Sequence, residues 1–211
     1  MSATYKLVYF PLQGLGEPIR FLLSYGKIDF EDFRFAHNEW LNIKPSMPFG
    51  KVPVLEYDGK QFHQCIAICR YVAKKVNLVG SDDLENMEID AVVDTIYEFK
   101  EKIALYHYER DPNIRKMRKD PVFNKTIPFY LTHFEEIAKA NNGHFVSGKL
   151  TWADIFFVGL LELLNHMTNM DIIANCPNLQ KMKRNVLSLP TIQAYIEKRP
   201  TPEYCCSIHH K

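Results

Sequence analysis

The sequence predicts an α/β domain followed by an all-α domain. Three observations carry this expectation. Strand and helix patterns alternate from Thr4 to Val76, and no strand pattern returns after about Asp83. Between them, "NLVGSDDLEN" clusters turn formers ahead of acids that open a long helical pattern. The expected bounds are 1–80 for the mixed domain and 83–211 for the helical one. A chain of 211 residues with 46% hydrophobic content can build a core in each.

Taken in order, "YKLVYF" alternates as a first strand. "GEPIRFLLSYG" follows with Pro18 near a helix start and Ile19, Leu22 and Leu23 on one face. "EDFRFA" sets Phe33 and Phe35 on one side of a second strand, and a polar loop then carries Trp40 to "PFGKVPVLEYDGKQFH". Within that segment Asp58-Gly59 separates two strand patterns and signals a tight hairpin. Pro53 lacks an amide proton, so it belongs at the beginning of its strand, where a cis bond would be a deliberate feature. "QCIAICRYVAKK" closes the domain as a helix. This order matches a thioredoxin-like fold, a small mixed sheet flanked by helices.

Helices are expected in the second half over Leu84 to about Glu109, Phe123 to Ala140, Trp152 to about Met167, Asn178 to Val186, and Thr191 to Lys198, a helical-bundle domain. Thr151 and Asp154 have capping-box spacing with Asp in place of Glu, which reads as a structural cap.

Composition narrows the partners. The net charge is +1 and no basic run is long enough to track a phosphate backbone, so nucleic acid is not expected. The most apolar run, Ile155 to Leu161, stops at Glu162, well short of the ~20 residues that span a bilayer, and no membrane partner is expected. "MSATYKLVYF" lacks the basic and apolar regions of a secretory signal. Five irregularly spaced cysteines do not suggest a disulfide framework, which favours a cytoplasmic location, while the small net charge and the lack of a basic run point to a small ligand. Cys69 and Cys176 read as ordinary buried or helix-face thiols. The tail "CCSIHHK" reads as an unstructured terminus, because adjacent ligands at a chain end lack a scaffold for tetrahedral metal geometry.

Tyr9 ends the first strand and precedes Pro11, Gln13, Gly14 and Gly16, a loop that leads into a helix N-terminus. A phenol there would point into a polar crevice. No cysteine precedes Cys65, so dithiol exchange is disfavoured. The segments "YKLVYFPLQGLGEPIRFLL", "PFGKVPVLEYDGKQFHQCIAICRYVAKK" and "GKLTWADIFFV", in this order and spacing, resemble a sigma-class glutathione transferase over nearly the whole chain. The sequence is more similar to the invertebrate detoxifying enzymes than to the prostaglandin D synthase branch.

That resemblance implies that Tyr9 is the catalytic tyrosine, donating a hydrogen bond to the sulfur of glutathione. A thiol near pKa 8.5 is mostly protonated at neutral pH, and each unit of lowering needs about 1.4 kcal/mol of preferential anion stabilisation, within reach of one charge-assisted hydrogen bond plus the local field. By the same resemblance Trp40 and Lys44 hold the glycine end of the tripeptide, and Lys51 lies beside it on the "FGKVP" loop, although a single lysine is more often a solvated surface charge. The exposed backbone of Gly50, Lys51, Val52 and Pro53 would pair with the cysteinyl peptide unit. Gln64 and Cys65, at a helix N-terminus, would take the γ-glutamyl carboxylate. The family usually has serine where Cys65 stands, so the amide contact survives and the hydroxyl donor weakens.

Glu98 would reach the γ-glutamyl ammonium across a homodimer interface, at a position where the family often has aspartate. Of the three acids that hold a divalent ion in the prostaglandin synthase branch, the corresponding set here is Asp94, Tyr97 and Glu98, so no metal is expected. Phe10, Leu15, Leu105, Tyr106 and Tyr108 are candidates for an apolar electrophile wall, Leu15 replacing an arginine of vertebrate members. The resemblance thus implies a dimeric transferase that conjugates glutathione to lipid-peroxidation aldehydes and aryl halides, with some peroxide reduction. The alternatives are a glutathione-dependent prostaglandin D isomerase and a non-enzymatic structural or ligand-binding relative. Cys65 is expected to act through its amide rather than as a nucleophile, and bound glutathione should protect its thiol from alkylation.

Overall fold

The computed structural model describes residues 5–204. β1 (Tyr5–Tyr9) is the spine of a four-stranded sheet. It pairs in parallel with β2 (Phe30–Arg34) and antiparallel with β3 (Val54–Tyr57), which pairs in turn with β4 (Lys60–His63), giving the order β2-β1-β3-β4. Successive side chains of a strand point to opposite faces, and here both faces are covered. Leu7 enters the main core, while Val8 joins a smaller cluster with Phe35 and Val54. Asp58 and Gly59, at φ 51° and 70°, form the two-residue hairpin loop that leaves Tyr57 opposite Lys60. The Val52–Pro53 bond is cis, and Pro53 precedes β3, where no ladder donor is required.

α1 (Glu17–Tyr25) follows β1, and α2 (Trp40–Ile43) is a single turn in the loop between β2 and β3. α3 (Cys65–Lys75) follows β4 and ends the sheet-bearing half. The helical half comprises α4 (Asp83–His107), α5 (Pro112–Pro121), α6 (Ile127–Ala140), α7 (Trp152–Thr168), α8 (Pro177–Leu187) and α9 (Pro190–Lys198). α7 is apolar on nearly every side and packs between α4 and α1, so one core runs through both halves. At the crossing with α1 there is no room for a side chain: a Cβ on Gly159 would sit 2.9 Å from the backbone of Pro18.

Between α4 and α6 the structure departs from the sequence pattern twice. No apolar helical pattern predicts α5. Asp111 caps it by accepting from the amides of Asn113 (2.8 Å) and Ile114 (3.3 Å), and Pro112 occupies the first helical position. Its inward stripe is cationic, with Arg115 over the Tyr106 ring and Arg118 paired with Glu109, so no apolar helical period marks it. Phe123, expected to open the next helix, lies instead in a widened π turn over Val122–Thr126, and α6 starts at Ile127. The segment "CCSIHHK" lies outside the described residues.

The α7 cap is as the spacing predicts. Asp154, inaccessible to solvent, accepts from the amides of Thr151 (2.8 Å) and Phe145 (2.9 Å). Asp154→Ala strands both buried donors. We expect a loss of about 2–4 kcal/mol, read as a lowered urea midpoint with an unchanged slope.

Candidate active site

β1 carries Tyr9 at its C-terminal end, in the middle of the sheet, and the following loop folds back over the side chain. Tyr9 is 7% exposed. Gly14, at φ 44°, faces the phenol so closely that a Cβ there would lie 2.6 Å from Tyr9 Oη, and one on Gly16 would lie 2.7 Å from the ring. The backbone N–H of Leu15 donates to Tyr9 Oη at 3.0 Å. Burial pushes the phenol well above its ordinary pKa of 10, against the lowering effect of the Leu15 amide, so at physiological pH Tyr9 keeps its proton. An oxygen that accepts from an amide and retains its own proton can donate to a third group.

The loop is fixed from below by Arg20, which is inaccessible to solvent. Its Nη1 donates to the carbonyls of Leu12 (2.8 Å) and Gln13 (3.4 Å), and its Nε donates to Asp32 at 3.0 Å. Arg20 also pairs with Glu17 at 3.2 Å, and its guanidinium carbon lies 5.7 Å from the centroid of the Tyr9 ring. Asp32 also pairs with Arg34, which donates to Tyr195 of α9 at 3.2 Å. Tyr195 donates in turn to Glu17 at 3.1 Å, and Arg199 bridges Glu17 to Glu162 of α7. Each of these ions has an opposite charge beside it, while Arg20 Nη2 and Arg34 Nη1 are buried without a hydrogen-bond partner among the described residues.

Two cavities flank this loop. One, about 320 Å³, is bounded by Tyr9, Phe10 and Leu15 from the sheet side and by Lys100, Ala104, His107 and Tyr108 from α4, with His166, Met167 and Tyr204 also on its wall. The other, about 260 Å³, is bounded by Phe49, Lys51, Val52 and Pro53, by His63, Gln64 and Cys65, and by Tyr97. Leu15 borders both.

Of the residues expected from the sequence, Lys51, Val52, Pro53, Gln64 and Cys65 meet around one cavity, and Tyr9, Phe10, Leu15 and Tyr108 around the other. Leu105 and Tyr106 border neither. Leu105 is 59% exposed, and Tyr106 packs edge-on against Phe123. The inward face of α4 repeats at Lys100, Ala104 and His107–Tyr108, and a 100° step per residue rotates positions 105 and 106 off it. Trp40 stacks on Phe35 and meets Phe10 edge-on beside the second cluster. The Lys44 side chain lies over Gly50, whose Cβ would meet Lys44 Cε at 3.1 Å. Asp94 and Glu98 are exposed on α4, where Glu98 pairs with Lys102 at 3.1 Å, an interaction that holds its carboxyl below the usual range.

Gln64 is held at φ 72°, a strained conformation for a residue with a side chain, just where α3 begins. The Cys65 thiol turns inward: it donates to the carbonyl of Leu15 at 3.0 Å and lies 4.0 Å from the sulfur of Cys69, whose own thiol is pushed up by burial. Sequence reasoning missed His37, Lys100, His107, His166 and Tyr204. The i, i+4, i+7 run of Lys100, Ala104 and His107 is a legible signal for part of that wall. His166, its pKa lowered by burial, stacks on Tyr204 at 3.9 Å, a contact that no local pattern announces.

Comparison with known proteins gives this geometry a family. The glutathione S-transferase N-terminal domain model matches residues 3–74, and the C-terminal domain model matches residues 97–199. A glutathione S-transferase of Anopheles gambiae is 50% identical over 199 residues, covering 94% of this chain and 98% of that one. Human hematopoietic prostaglandin D synthase is 31% identical, covering 93% of this chain and 96% of that one. A solved structure of prostaglandin synthase D of Nilaparvata lugens superposes with a TM-score of 0.91 at 43% identity, covering 94% of this chain and all of that one. With both halves matched, the chain belongs to the glutathione S-transferase family and is a glutathione transferase.

Proposed function

We propose that glutathione occupies the cavity of Lys51, Val52, Pro53, Gln64 and Cys65 and that the electrophile enters the cavity of Phe10, Leu15 and Tyr108, with Tyr9 holding the sulfur as a thiolate between them. The observation that carries this reading is the Leu15 amide bond to Tyr9 Oη, which orients a buried, protonated phenol as a donor. The thiolate then attacks an electrophilic carbon: with an aryl halide the C–S bond replaces the carbon–halogen bond and halide leaves, and with an α,β-unsaturated aldehyde the thiolate adds to the β-carbon and the enolate takes a proton from water. Juxtaposition of the two substrates supplies much of the remaining acceleration. Activated aldehydes and aryl halides are the electrophile classes we assign.

In this reading the Val52 backbone, which precedes the β3 ladder, pairs with the cysteinyl unit of the peptide. The first amides of α3 take the γ-glutamyl carboxylate. Lys51, with Lys44 and Trp40 nearby in sequence, takes the glycine carboxylate. Glu98 serves the neighbouring subunit of a homodimer. Dimerisation is supported by apolar side chains left in the open on the sheet-bearing half and the start of α4: Phe49 is 83% exposed, Phe62 on the edge strand β4 45%, and Met87 60%. We place the glutathione domain within 1–80 and the helical domain from 83 onward, in the cytosol, where the cysteines stay reduced.

A second reading, isomerisation of a prostaglandin endoperoxide with glutathione as cofactor, is favoured by the likeness to the Nilaparvata structure. A single prostaglandin D product from endoperoxide would support it, and a spontaneous-breakdown mixture would remove it.

Tyr9→Phe keeps the ring and deletes the donor. Conjugation of an aryl halide should fall about 10- to 100-fold in kcat/KM. Equal rates in the two proteins would end the proposal. The wild-type kcat/KM should rise with pH as the bound thiol ionises and then stay level to about pH 10, because the buried phenol does not lose its proton there. A decline beginning near pH 8 would contradict the role given to Tyr9. Light scattering should return twice the 24.7 kDa chain mass.

A further inference from the structure

The charge of the molecule is not evenly spread. Residues 109–125 carry six cations and three acids, whereas the rest of the chain carries twenty cations and twenty-two acids. Of the three local acids Glu109 pairs with Arg118, whereas Asp111 caps α5 and Asp120 accepts from the neutral Asn124, so the segment keeps a net positive charge with these two acids un-neutralised. Arg115 and Arg118 face the protein, one over the Tyr106 ring and the other donating to the carbonyl of Leu105. Arg110, Lys116, Lys119 and Lys125 have no carboxylate within ion-pair distance among the described residues.

α5 is also inverted with respect to polarity. None of its residues is buried. Its cations Arg115 and Arg118 lie against the protein while remaining half-exposed, whereas Met117 is 75% exposed and Ile114 41% exposed. The carbonyl that receives Arg118 belongs to Leu105, itself 59% exposed, so the apolar surface continues onto the end of α4. There it reaches Tyr108, which is 47% exposed and also borders the Tyr9 cavity. On α5, at about 100° per residue, Ile114 and Met117 lie on one side of the solvent-facing surface and Lys116 and Lys119 on the other, an amphipathic arrangement suited to the interface of an anionic bilayer, where lysines meet headgroups and short apolar side chains enter the acyl boundary.

We infer that α5 and the end of α4 form a peripheral docking surface for anionic lipid membranes. The contact is electrostatic and shallow, unlike a spanning segment, and it revises the sequence-based expectation that the protein has no membrane partner. It also sets the mouth of the Tyr9 cavity beside the bilayer surface. The inference rests on the surface alone and does not require the glutathione site to be assigned correctly.

The test is vesicle co-sedimentation of the full chain. Vesicles of phosphatidylcholine with about 30% phosphatidylserine should pull the protein down, pure phosphatidylcholine vesicles should not, and about 0.5 M salt should release it. Lys116→Glu with Lys119→Glu should weaken partitioning at least about thirty-fold, and Met117→Ser should weaken it severalfold, while Lys116→Arg with Lys119→Arg binds as wild type. All these variants should conjugate an aryl halide at the wild-type rate, which also shows that they are folded. Equal sedimentation with both vesicle types, undiminished binding by the double glutamate variant, or self-association abolished by Met117→Ser without any vesicle binding would each overturn the inference.

Discussion

The Arg20 guanidinium is the interaction on which the site depends. It is buried with no solvent access and joins three elements, holding the carbonyls of the Leu12–Gln13 turn, Asp32 of β2 and Glu17 of α1. Without Arg20 the Leu12 carbonyl would lose the donor it meets at 2.8 Å inside the protein, a costly arrangement, while the Gln13 carbonyl also accepts from the Glu17 amide at 2.9 Å. Breaking one partner out of a buried charge pair typically costs about 3–5 kcal/mol, and here the loss would fall on the loop that carries Gly14 and Leu15. Through Tyr195, Arg199 and Glu162 the same network reaches α9 and α7, so the position of the Tyr9 loop is tied to the docking of the two halves.

Above that network, the Leu15 residue connects the two cavities. Its N–H meets Tyr9 Oη and its carbonyl meets the Cys65 thiol, so the end of β1 and the start of α3 are held by opposite sides of one residue. Gly14 is required because the phenol occupies the space of its missing side chain. In the proposed reaction this gives the donor a fixed direction before substrate arrives, so little reorganisation is needed when charge develops on sulfur. The inward turn of Cys65 fits a residue that contributes its backbone at the helix start, with its side chain used for packing.

The fold was legible where sequence patterns are local. Asp58-Gly59 specified the hairpin, Pro53 the strand start, and the Thr151/Asp154 spacing the α7 cap, because each depends on a few adjacent residues. α5 was illegible because its inward stripe is arginine, satisfied by the Tyr106 ring and Glu109 rather than by apolar packing. At the site, the loops place Tyr9 on one cavity and Gln64 and Cys65 on the neighbouring one, with Leu15 bordering both. Leu105 and Tyr106 failed on helix phase, which one residue of rotation decides. His166 and Tyr204 belong to elements joined only by tertiary packing, and the Arg20 network spans residues 12 to 199, so neither leaves a sequence pattern.

Ultraviolet titration of the thiolate in the binary complex measures how far the donor held by the Arg20-braced loop lowers the pKa of the glutathione thiol. With wild-type protein the bound thiol should titrate about 1–2 units below its free value, with Arg20→Met about half of that lowering should be lost, and with Tyr9→Phe nearly all of it. A bound thiol that titrates at the free value in the wild-type protein, or at one value in all three, would contradict the account.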